Sequence, residues 1–269
     1  MKEPNALTHL RYGQLTVAAA DSSEVVAAAA AEHFASAVRA ELAEHEEAAV
    51  ILATGNSQLG FIKAVRERDD VDWSRLVVLH MDEYYGMHES HPASFRRWMQ
   101  QHLLSYVTPK AFHGVRGDHD PVEEEIERYG ELLRTLDPAI CVMGIGENGH
   151  LAFNDPPADF QTRDLIHLVE LDEACRKQQV GEGHFASLDE TPERALSLTV
   201  HALVRPRIVL VIAPDARKAA AVERALTGPV TPDCPASILQ TTPHAWLYLD
   251  QKSSARLEIV PPSSDASQS

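Results

Sequence analysis

His150 and Asp155 lie close together in the glycine-containing run GIGENGHLAFNDP, residues 144–156. The run follows an apolar, strand-like stretch at residues 139–143. Glycines let a backbone approach a ligand closely, and open α/β sheets bind ligands at the loops after buried strands. A histidine held by an acidic partner is a general acid/base with a defined tautomer. The spacing predicts a proton-transfer pair; the alternative is a tight turn in which both side chains only cap a helix or bind loop amides.

A phosphate site is predicted where a second apolar stretch, residues 49–53, ends in a short polar turn. The turn consists of Thr54, Gly55, Asn56 and Ser57. Its amides and hydroxyls meet the positive end of a following helix, which favours an anion. It lacks the GK[ST] of a Walker loop and the spacing of a dinucleotide fingerprint. The alternative is that Ser57 is an ordinary helix N-cap. Lys218, after the apolar run 208–213, could reach the same phosphate, although a lysine there is usually a surface residue.

Two adjacent acids, Asp82 and Glu83, follow the apolar stretch 76–80 in the segment MDEYYG. Partial desolvation there would raise the pKa of a carboxylate, as a base that acts on a carbon acid requires. Adjacent residues of an extended segment point in opposite directions. We therefore expect one acid to face a pocket and the other to brace the loop. The alternative is a pair of solvated surface acids.

The elements that must position these residues alternate between short apolar runs and helical patterns. Strands are predicted at residues 15–19, 49–53, 76–80, 139–143, 165–169, 195–200, 208–213 and 245–249, and helices at 22–44, 59–68, 92–104, 122–136 and 216–226. This rhythm predicts a Rossmann-like, doubly wound α/β fold: a mostly parallel sheet with helices on both faces. We expect a single domain at residues 1–260 and a disordered tail at 261–269, where Pro and Ser dominate and no apolar residue is large enough to dock.

Composition narrows the classes of function. The net charge of −16 argues against nucleic-acid or membrane partners, which need clustered Lys and Arg. The first 14 residues lack a signal-peptide pattern, so a cytoplasmic location is expected. Three dispersed cysteines predict no disulfide framework. The 14 histidines, among them His80 and His113, show no zinc-type spacing, and no metal is predicted.

Taken together, these motifs resemble the glucosamine-6-phosphate deaminases, also called isomerases, over roughly residues 15–249. The shared order is the TGNS turn, MDEYYG, Ser94-Phe95, the GIGENGHLAFNDP run and Lys218. The related 6-phosphogluconolactonases share the fold and a GxGxDGH-type turn, but they usually continue with Thr-Ala-Ser-Leu-Phe and lack MDEY. The resemblance implies conversion of glucosamine 6-phosphate and water into fructose 6-phosphate and ammonia, without metal or redox cofactor.

The resemblance also implies residue roles. His150 with Asp155 matches the acid/base that opens the sugar ring, and Asp82 matches the base that moves a proton from C2 to C1. The phosphate site matches Thr54, Gly55, Asn56, Ser57 and Lys218. Gly144 and Ala152 fall where the backbone of family members approaches the sugar.

Several positions depart from the best-known members. Asn148, placed in the catalytic set, stands where they carry Asp, and Asp155 stands where they carry Glu. The phosphate turn reads TGNSQ rather than TGxTP, which suggests a preference for a related amino-sugar phosphate. In the lid-like segment 171–185, Gln179 falls at the position of a phosphate-binding Arg. The nearby Arg176 is therefore predicted to bind substrate.

Two other functions stay open at this stage. One is a lactonase-type hydrolase, which His150 favours and the MDEYYG segment opposes. The other is a non-catalytic sugar-phosphate sensor that acts through a partner protein. The sequence leaves open the epimer and acylation state of the sugar, allosteric regulation and whether the chain forms a homo-oligomer.

Overall fold

An eight-stranded sheet forms the centre of the computed structural model, which describes residues 7–181 and 183–258. The strands of the chain are β1 Thr8–Tyr12, β2 Leu15–Ala19, β3 Ala48–Leu52, β4 Leu76–His80, β5 Asp82–Tyr84, β6 Ala111–His113, β7 Ile140–Met143, β8 Ile166–Glu170, β9 Arg194–Leu198, β10 Ile208–Ile212 and β11 Ala245–Leu249. The α-helices are α1 Ser23–Glu44, α2 Leu59–Arg66, α3 Phe95–Met99, α4 Val122–Leu136, α5 Glu173–Gly181, α6 Val200–Val204 and α7 Ala219–Thr227.

The strand order in the large sheet is β1-β2-β11-β10-β7-β3-β4-β6. The edge strand β1 pairs antiparallel with β2, and the other neighbours pair in parallel. The predicted mostly parallel sheet is therefore confirmed. Parallel strands joined by helical crossovers carry their connecting loops at the same edge, so the loops after β3, β4, β7 and β10 are brought together.

Helices cover both faces of this sheet because its central strands are apolar on both sides. In β10, Val209 and Val211 belong to a core cluster that includes residues of α4, α6 and α7. Leu210 and Ile212 point the other way, into a cluster with residues of α1, α2 and α3. The doubly wound α/β architecture predicted from the continuous apolar runs is confirmed.

A second, smaller sheet with the order β5-β9-β8 is antiparallel, and it corrects part of the prediction. The runs at 165–169 and 195–200 were expected in the parallel sheet, but they form β8 and β9 beside it. The central residues of β8 are only half-buried, so this strand does not have the two apolar faces that a covered parallel strand needs. Met81 alone separates β4 from β5, which places the small sheet at the carboxyl end of β4.

Five of the described strands and α-helices were missed by the sequence reasoning. They are β1, β6, β5, α5 and α6. The first two lie at the sheet edges and contain half-buried or exposed residues, so they lack a continuous apolar run. In addition, the helix expected from residue 92 begins after Ser94, whose hydroxyl accepts a hydrogen bond from Arg97 N, and it continues into the π-helical turn Gln100–Leu104.

All three cysteines lie within the described residues. Cys141, Cys175 and Cys234 are buried and free, as expected without a disulfide framework. Within residues 7–181 and 183–258, no helix combines the length and the apolar character that a membrane-spanning helix needs. A single domain over residues 1–260 stays a prediction, and the predicted disordered tail at 261–269 lies outside the described residues.

The close packing around β5 gives a first prediction. A Cβ added at Gly117 would lie 2.1 Å from Tyr84 O and 2.9 Å from Glu83 Cγ. We expect Gly117→Ala to lower the free energy of unfolding by about 1–3 kcal/mol, measured by urea denaturation, because backbone must move. Gly181→Ala is the control, since no described atom lies within 4 Å of its added Cβ. Equal stability of the two variants would contradict the packing described here.

Candidate active site

One pocket collects the loops that follow β3, β4, β7 and β10. Most of the predicted site residues line it, namely Thr54, Gly55, Asn56, Ser57, Asp82, Gly144, His150, Ala152 and Lys218. Three predicted residues do not: Asn148, Asp155 and Arg176. The tertiary structure thus gathers side chains that are more than 160 residues apart in the chain.

One end of the pocket, the predicted anion-binding end, is built from two short turns that lead into helices. Asn56–Gln58 is a 3-10 turn that continues into α2, and Ala216–Lys218 is a 3-10 turn that continues into α7. Helix starts carry unpaired amides and a positive partial charge, which favours an anion. Lys218 is buried, with 4% of its surface exposed, so it is not the surface lysine that position alone suggested. The arrangement is suited to a phosphate group.

Asp82 lies at the start of β5 and is buried in the wall of the pocket. Burial, and secondly the negative charge of Glu83, raise the pKa of Asp82 to about 8. A carboxylate with a high pKa binds a proton strongly, which is the property required of a base that takes a proton from carbon. The geometry and the electrostatics of Asp82 therefore fit proton abstraction.

Glu83 points away from the pocket and is fully buried. Its carboxylate accepts hydrogen bonds from Ser94 Oγ at 2.7 Å, Arg96 N at 3.1 Å and Phe95 N at 3.2 Å. Arg96 Nε adds an ion pair at 3.4 Å. Burial raises the pKa of Glu83, and these hydrogen bonds oppose the rise. Glu83 thus holds the start of α3 in place, whereas its neighbour Asp82 faces the pocket.

His150 and Asp155 form a hydrogen-bonded pair, with 3.1 Å between Nδ1 and Oδ1. Burial raises the pKa of Asp155, but hydrogen bonds from His150, Asn148 and the Asp172 amide outweigh burial and lower it. The ionised carboxylate fixes the proton of the imidazole on Nδ1, which leaves Nε2 to exchange protons. A Cβ at Gly146 would lie 2.2 Å from Nε2, so the backbone of Gly146 follows this ring closely.

Asn148 lies behind the pair rather than in the pocket. Its Nδ2 donates to Asp155 Oδ1 at 2.9 Å, and its Oδ1 accepts from His150 N at 3.0 Å. The side chain thus contacts the carboxylate and the loop backbone, whereas the imidazole is oriented by Asp155. Ala152 adopts a φ of +52°, a conformation uncommon outside glycine, where its backbone meets the pocket.

The prediction that Arg176 binds substrate is corrected by the position of its side chain in the lid-like segment. Its guanidinium donates to Leu188 O at 2.6 Å and Thr191 O at 3.1 Å, and it lies 3.8 Å from Glu193. Arg176 therefore holds the segment after α5 and does not reach the pocket. The sequence reasoning lacked the register of α5, which decides the face that each of its residues occupies.

Lid residues that the predicted site did not include line the pocket instead. They are Gln178 and His184, next to Gln179, which had been aligned with an Arg. Gln178 Oε1 accepts from Glu147 N at 3.1 Å, and Gln179 Oε1 accepts from Tyr84 OH at 2.7 Å. Gln178 and Gln179 follow Cys175 by three and four residues, and this helical spacing predicts that they share the face of α5 that meets the pocket.

One group of possible metal ligands occurs near this pair. Donor atoms of His150, Asp155 and Cys175 lie within 4.8 Å of one another. The Cys175 thiol hydrogen-bonds to Asp155, and burial raises its pKa, so the group also works as a hydrogen-bond network. His80 is held differently: its Nε2 accepts from Val115 N at 2.7 Å, and burial lowers its pKa to about 3. The absence of a metal stays a prediction.

Relatives of known function can be identified by sequence similarity. A glucosamine-6-phosphate deaminase of Exiguobacterium sibiricum is 34% identical over 82% of this chain and 86% of its own length. One of Streptococcus pneumoniae is 34% identical over 77% of this chain and 86% of its own.

Solved structures give the same result at the level of the fold. A monomeric glucosamine-6-phosphate deaminase superposes with a TM-score of 0.82 at 26% identity, covering 89% of this chain and 98% of that one. A 6-phosphogluconolactonase from Thermotoga maritima shares the fold, with a TM-score of 0.71 at 17% identity over 88% and 99%. Residues 21–248 match the model of the family described as glucosamine-6-phosphate isomerases/6-phosphogluconolactonase. The chain therefore belongs to the glucosamine-6-phosphate isomerase/6-phosphogluconolactonase family.

Proposed function

We propose that this protein is an amino-sugar phosphate deaminase/isomerase. Its substrate is glucosamine 6-phosphate or a close epimer, and its products are a ketose 6-phosphate and ammonia. The observation that carries the proposal is a buried carboxylate, Asp82, that shares one pocket with His150 and the phosphate turn. The names of the relatives, glucosamine-6-phosphate deaminases, support the same substrate class.

Substrate binding begins at the anion-binding end. The phosphate accepts hydrogen bonds from the turn formed by Thr54, Gly55, Asn56 and Ser57, and the ammonium of Lys218 offsets its charge. A fixed phosphate orients the sugar carbons toward the opposite wall of the pocket. Orientation of this kind supplies a large part of enzymatic rate enhancement.

Ring opening is assigned to His150 and Asp155. The neutral imidazole takes the proton of the C1 hydroxyl at Nε2 and delivers a proton to the ring oxygen, so that the bond from C1 to that oxygen breaks. Asp155 stabilises the transient imidazolium through the Nδ1 contact at 3.1 Å. The product is the open-chain aldehyde.

Isomerisation is assigned to Asp82. The carboxylate removes the C2 proton while the C1 oxygen gains one, which gives an enolamine. Asp82 then returns its proton to C1 and the nitrogen loses one, so an imine forms at C2. Water adds to C2 and the bond from C2 to nitrogen breaks, which releases ammonia and leaves the ketose. One well-placed base suffices for both proton transfers.

A lactonase reaction is the second candidate, and the fold shared with 6-phosphogluconolactonases favours it. Lactone hydrolysis needs a base for water, which His150 could provide, but it has no use for a second, buried base such as Asp82. A sugar-phosphate sensor needs neither a base that activates water nor a second, buried base. We further propose a cytoplasmic location. For any homo-oligomer, we propose that each protomer carries its own site, since the phosphate turn, Asp82 and His150 meet within one chain.

The assignment of Asp82 yields the decisive activity prediction. Asp82→Asn should lower ammonia release from glucosamine 6-phosphate by about two to four powers of ten, because the carbon base is lost while phosphate contacts remain. Exchange of the C2 hydrogen with solvent should stop in the same variant. Asp164→Asn, at an exposed acid, is the control. A wild-type protein that hydrolyses 6-phosphogluconolactone and releases no ammonia would refute the deaminase proposal.

The raised pKa of Asp82 predicts a pH profile. The base must be deprotonated, so kcat/KM should rise with pH up to about 8, the pKa of Asp82. Glu83→Gln removes the neighbouring negative charge and should move this limb to lower pH. The measurement is kcat/KM of both proteins between pH 5 and pH 9. An unmoved limb would show that another group sets the profile.

Burial of Asp82 also predicts a dependence of stability on pH. The folded-state pKa is raised, so the folded protein retains a proton that the unfolded chain, with a pKa of about 3.9, has lost. Stability is therefore lost as pH rises from that value through about 8. Asp82→Asn should raise Tm more at pH 9 than at pH 5. Each 1 kcal/mol of change in the free energy of unfolding corresponds to about 2–4 °C in Tm. An equal change in Tm at both pH values would be incompatible with a protonated, buried Asp82.

A further inference from the structure

Gln58 is a buried amide directly behind the phosphate turn, with 1% of its surface exposed. Its Nε2 donates to Ile212 O at 3.2 Å and to Ser57 Oγ at 3.0 Å. A backbone carbonyl only accepts hydrogen bonds, so Ile212 O fixes which end of the amide is the nitrogen. Both hydrogens of Nε2 are used in these two bonds.

This contact determines the role of the Ser57 hydroxyl. A hydroxyl has one proton to donate, and here its oxygen already accepts from Gln58. The Ser57 proton cannot point at Nε2, and Ser57 lines the pocket. The hydroxyl is thus left as a donor on the side where an anion would bind.

We propose that Gln58 is a positioning residue that holds the Ser57 hydroxyl as a donor to the phosphate of the substrate. The inference rests on the proposed function for the identity of that substrate. It concerns the phosphate site alone, because the amide of Gln58 donates to the turn and to β10 rather than to Asp82 or His150. A serine whose proton is already oriented binds phosphate without first losing an alternative hydrogen bond.

Two features of the packing support a functional rather than a stabilising role. Gln58 Oε1 is buried and has no hydrogen-bond partner among the described residues, which is unfavourable for stability. Gly144 leaves the space for the amide, since a Cβ there would lie 3.1 Å from Nε2 and 3.4 Å from Ser57 Oγ. An apolar side chain of the same length would avoid the unpaired oxygen but could not orient Ser57.

The test is a double-mutant cycle with Gln58→Met and Ser57→Ala. The readouts are the affinity for inorganic phosphate by calorimetry, and KM and kcat for glucosamine 6-phosphate. Gln58→Met should weaken phosphate binding and raise KM about three- to tenfold, with a smaller change in kcat. In the Ser57→Ala background the same change should have little further effect, because the hydroxyl that it orients is absent.

A matched control is available on the surface. Gln100 Nε2 contacts Ser105 Oγ at 3.5 Å in an exposed position, so Gln100→Met removes a similar pair without touching the pocket. Gln58→Glu is the second variant, since a carboxylate accepts the Ser57 proton and turns it away from the phosphate. It should weaken phosphate binding more than Gln58→Met at pH 8, whereas the Gln100 variant should bind normally.

The outcomes separate this inference from the proposed function. Equal losses from Gln58→Met in the wild-type and Ser57→Ala backgrounds would overturn the role assigned to Gln58, as would a lower Tm with parallel losses in kcat and affinity. Phosphate binding is measured without turnover. A wild type that binds phosphate but releases no ammonia would therefore refute the deaminase reaction, and the double-mutant cycle would still test the role of Gln58 in phosphate binding.

Discussion

The burial of two adjacent carboxylates at the carboxyl end of β4 is the constraint on which the rest of the site depends. Burial disfavours the charged form of both groups, and their charges repel one another. The structure resolves this conflict by giving them different surroundings. Glu83 receives hydrogen bonds from the start of α3 and an ion pair with Arg96, whereas Asp82 keeps a raised pKa in the pocket. The two acids, which are adjacent in the three-residue strand β5, thereby take different roles.

A second set of contacts joins the loop after β7 to the lid-like segment 171–185. Asp155 accepts from His150, from Asn148 and from the backbone of Asp172 just before α5. Gln178 of α5 accepts from the amide of Glu147 in the same loop. Residues of that segment therefore help to hold Asp155, the hydrogen-bond partner of the imidazole. The lid-like segment contributes amides and an imidazole to the pocket, and Lys218 and two helix starts supply positive charge at the predicted anion-binding end.

The fold alone does not choose between the two reactions of the family. A 6-phosphogluconolactonase has the same fold at 17% identity, so helices, strands and their order are compatible with either activity. In this chain, the side chains that bear on the choice are Asp82 and His150, in the segments that follow β4 and β7. A buried base beside the histidine is suited to moving a proton between carbon atoms, and the hydrolysis of a lactone makes no use of it.

The sequence by itself determined the α/β class, the parallel core strands and half of the residues that line the pocket. Long apolar runs and polar turns at strand ends are local signals, and chain order places those turns on one edge of the sheet. The tertiary structure alone decided the small antiparallel sheet, the turning of Arg176 away from the pocket and the orientation of Ser57 by Gln58. These features depend on which face of an element meets a distant segment, and local residue patterns do not encode that contact.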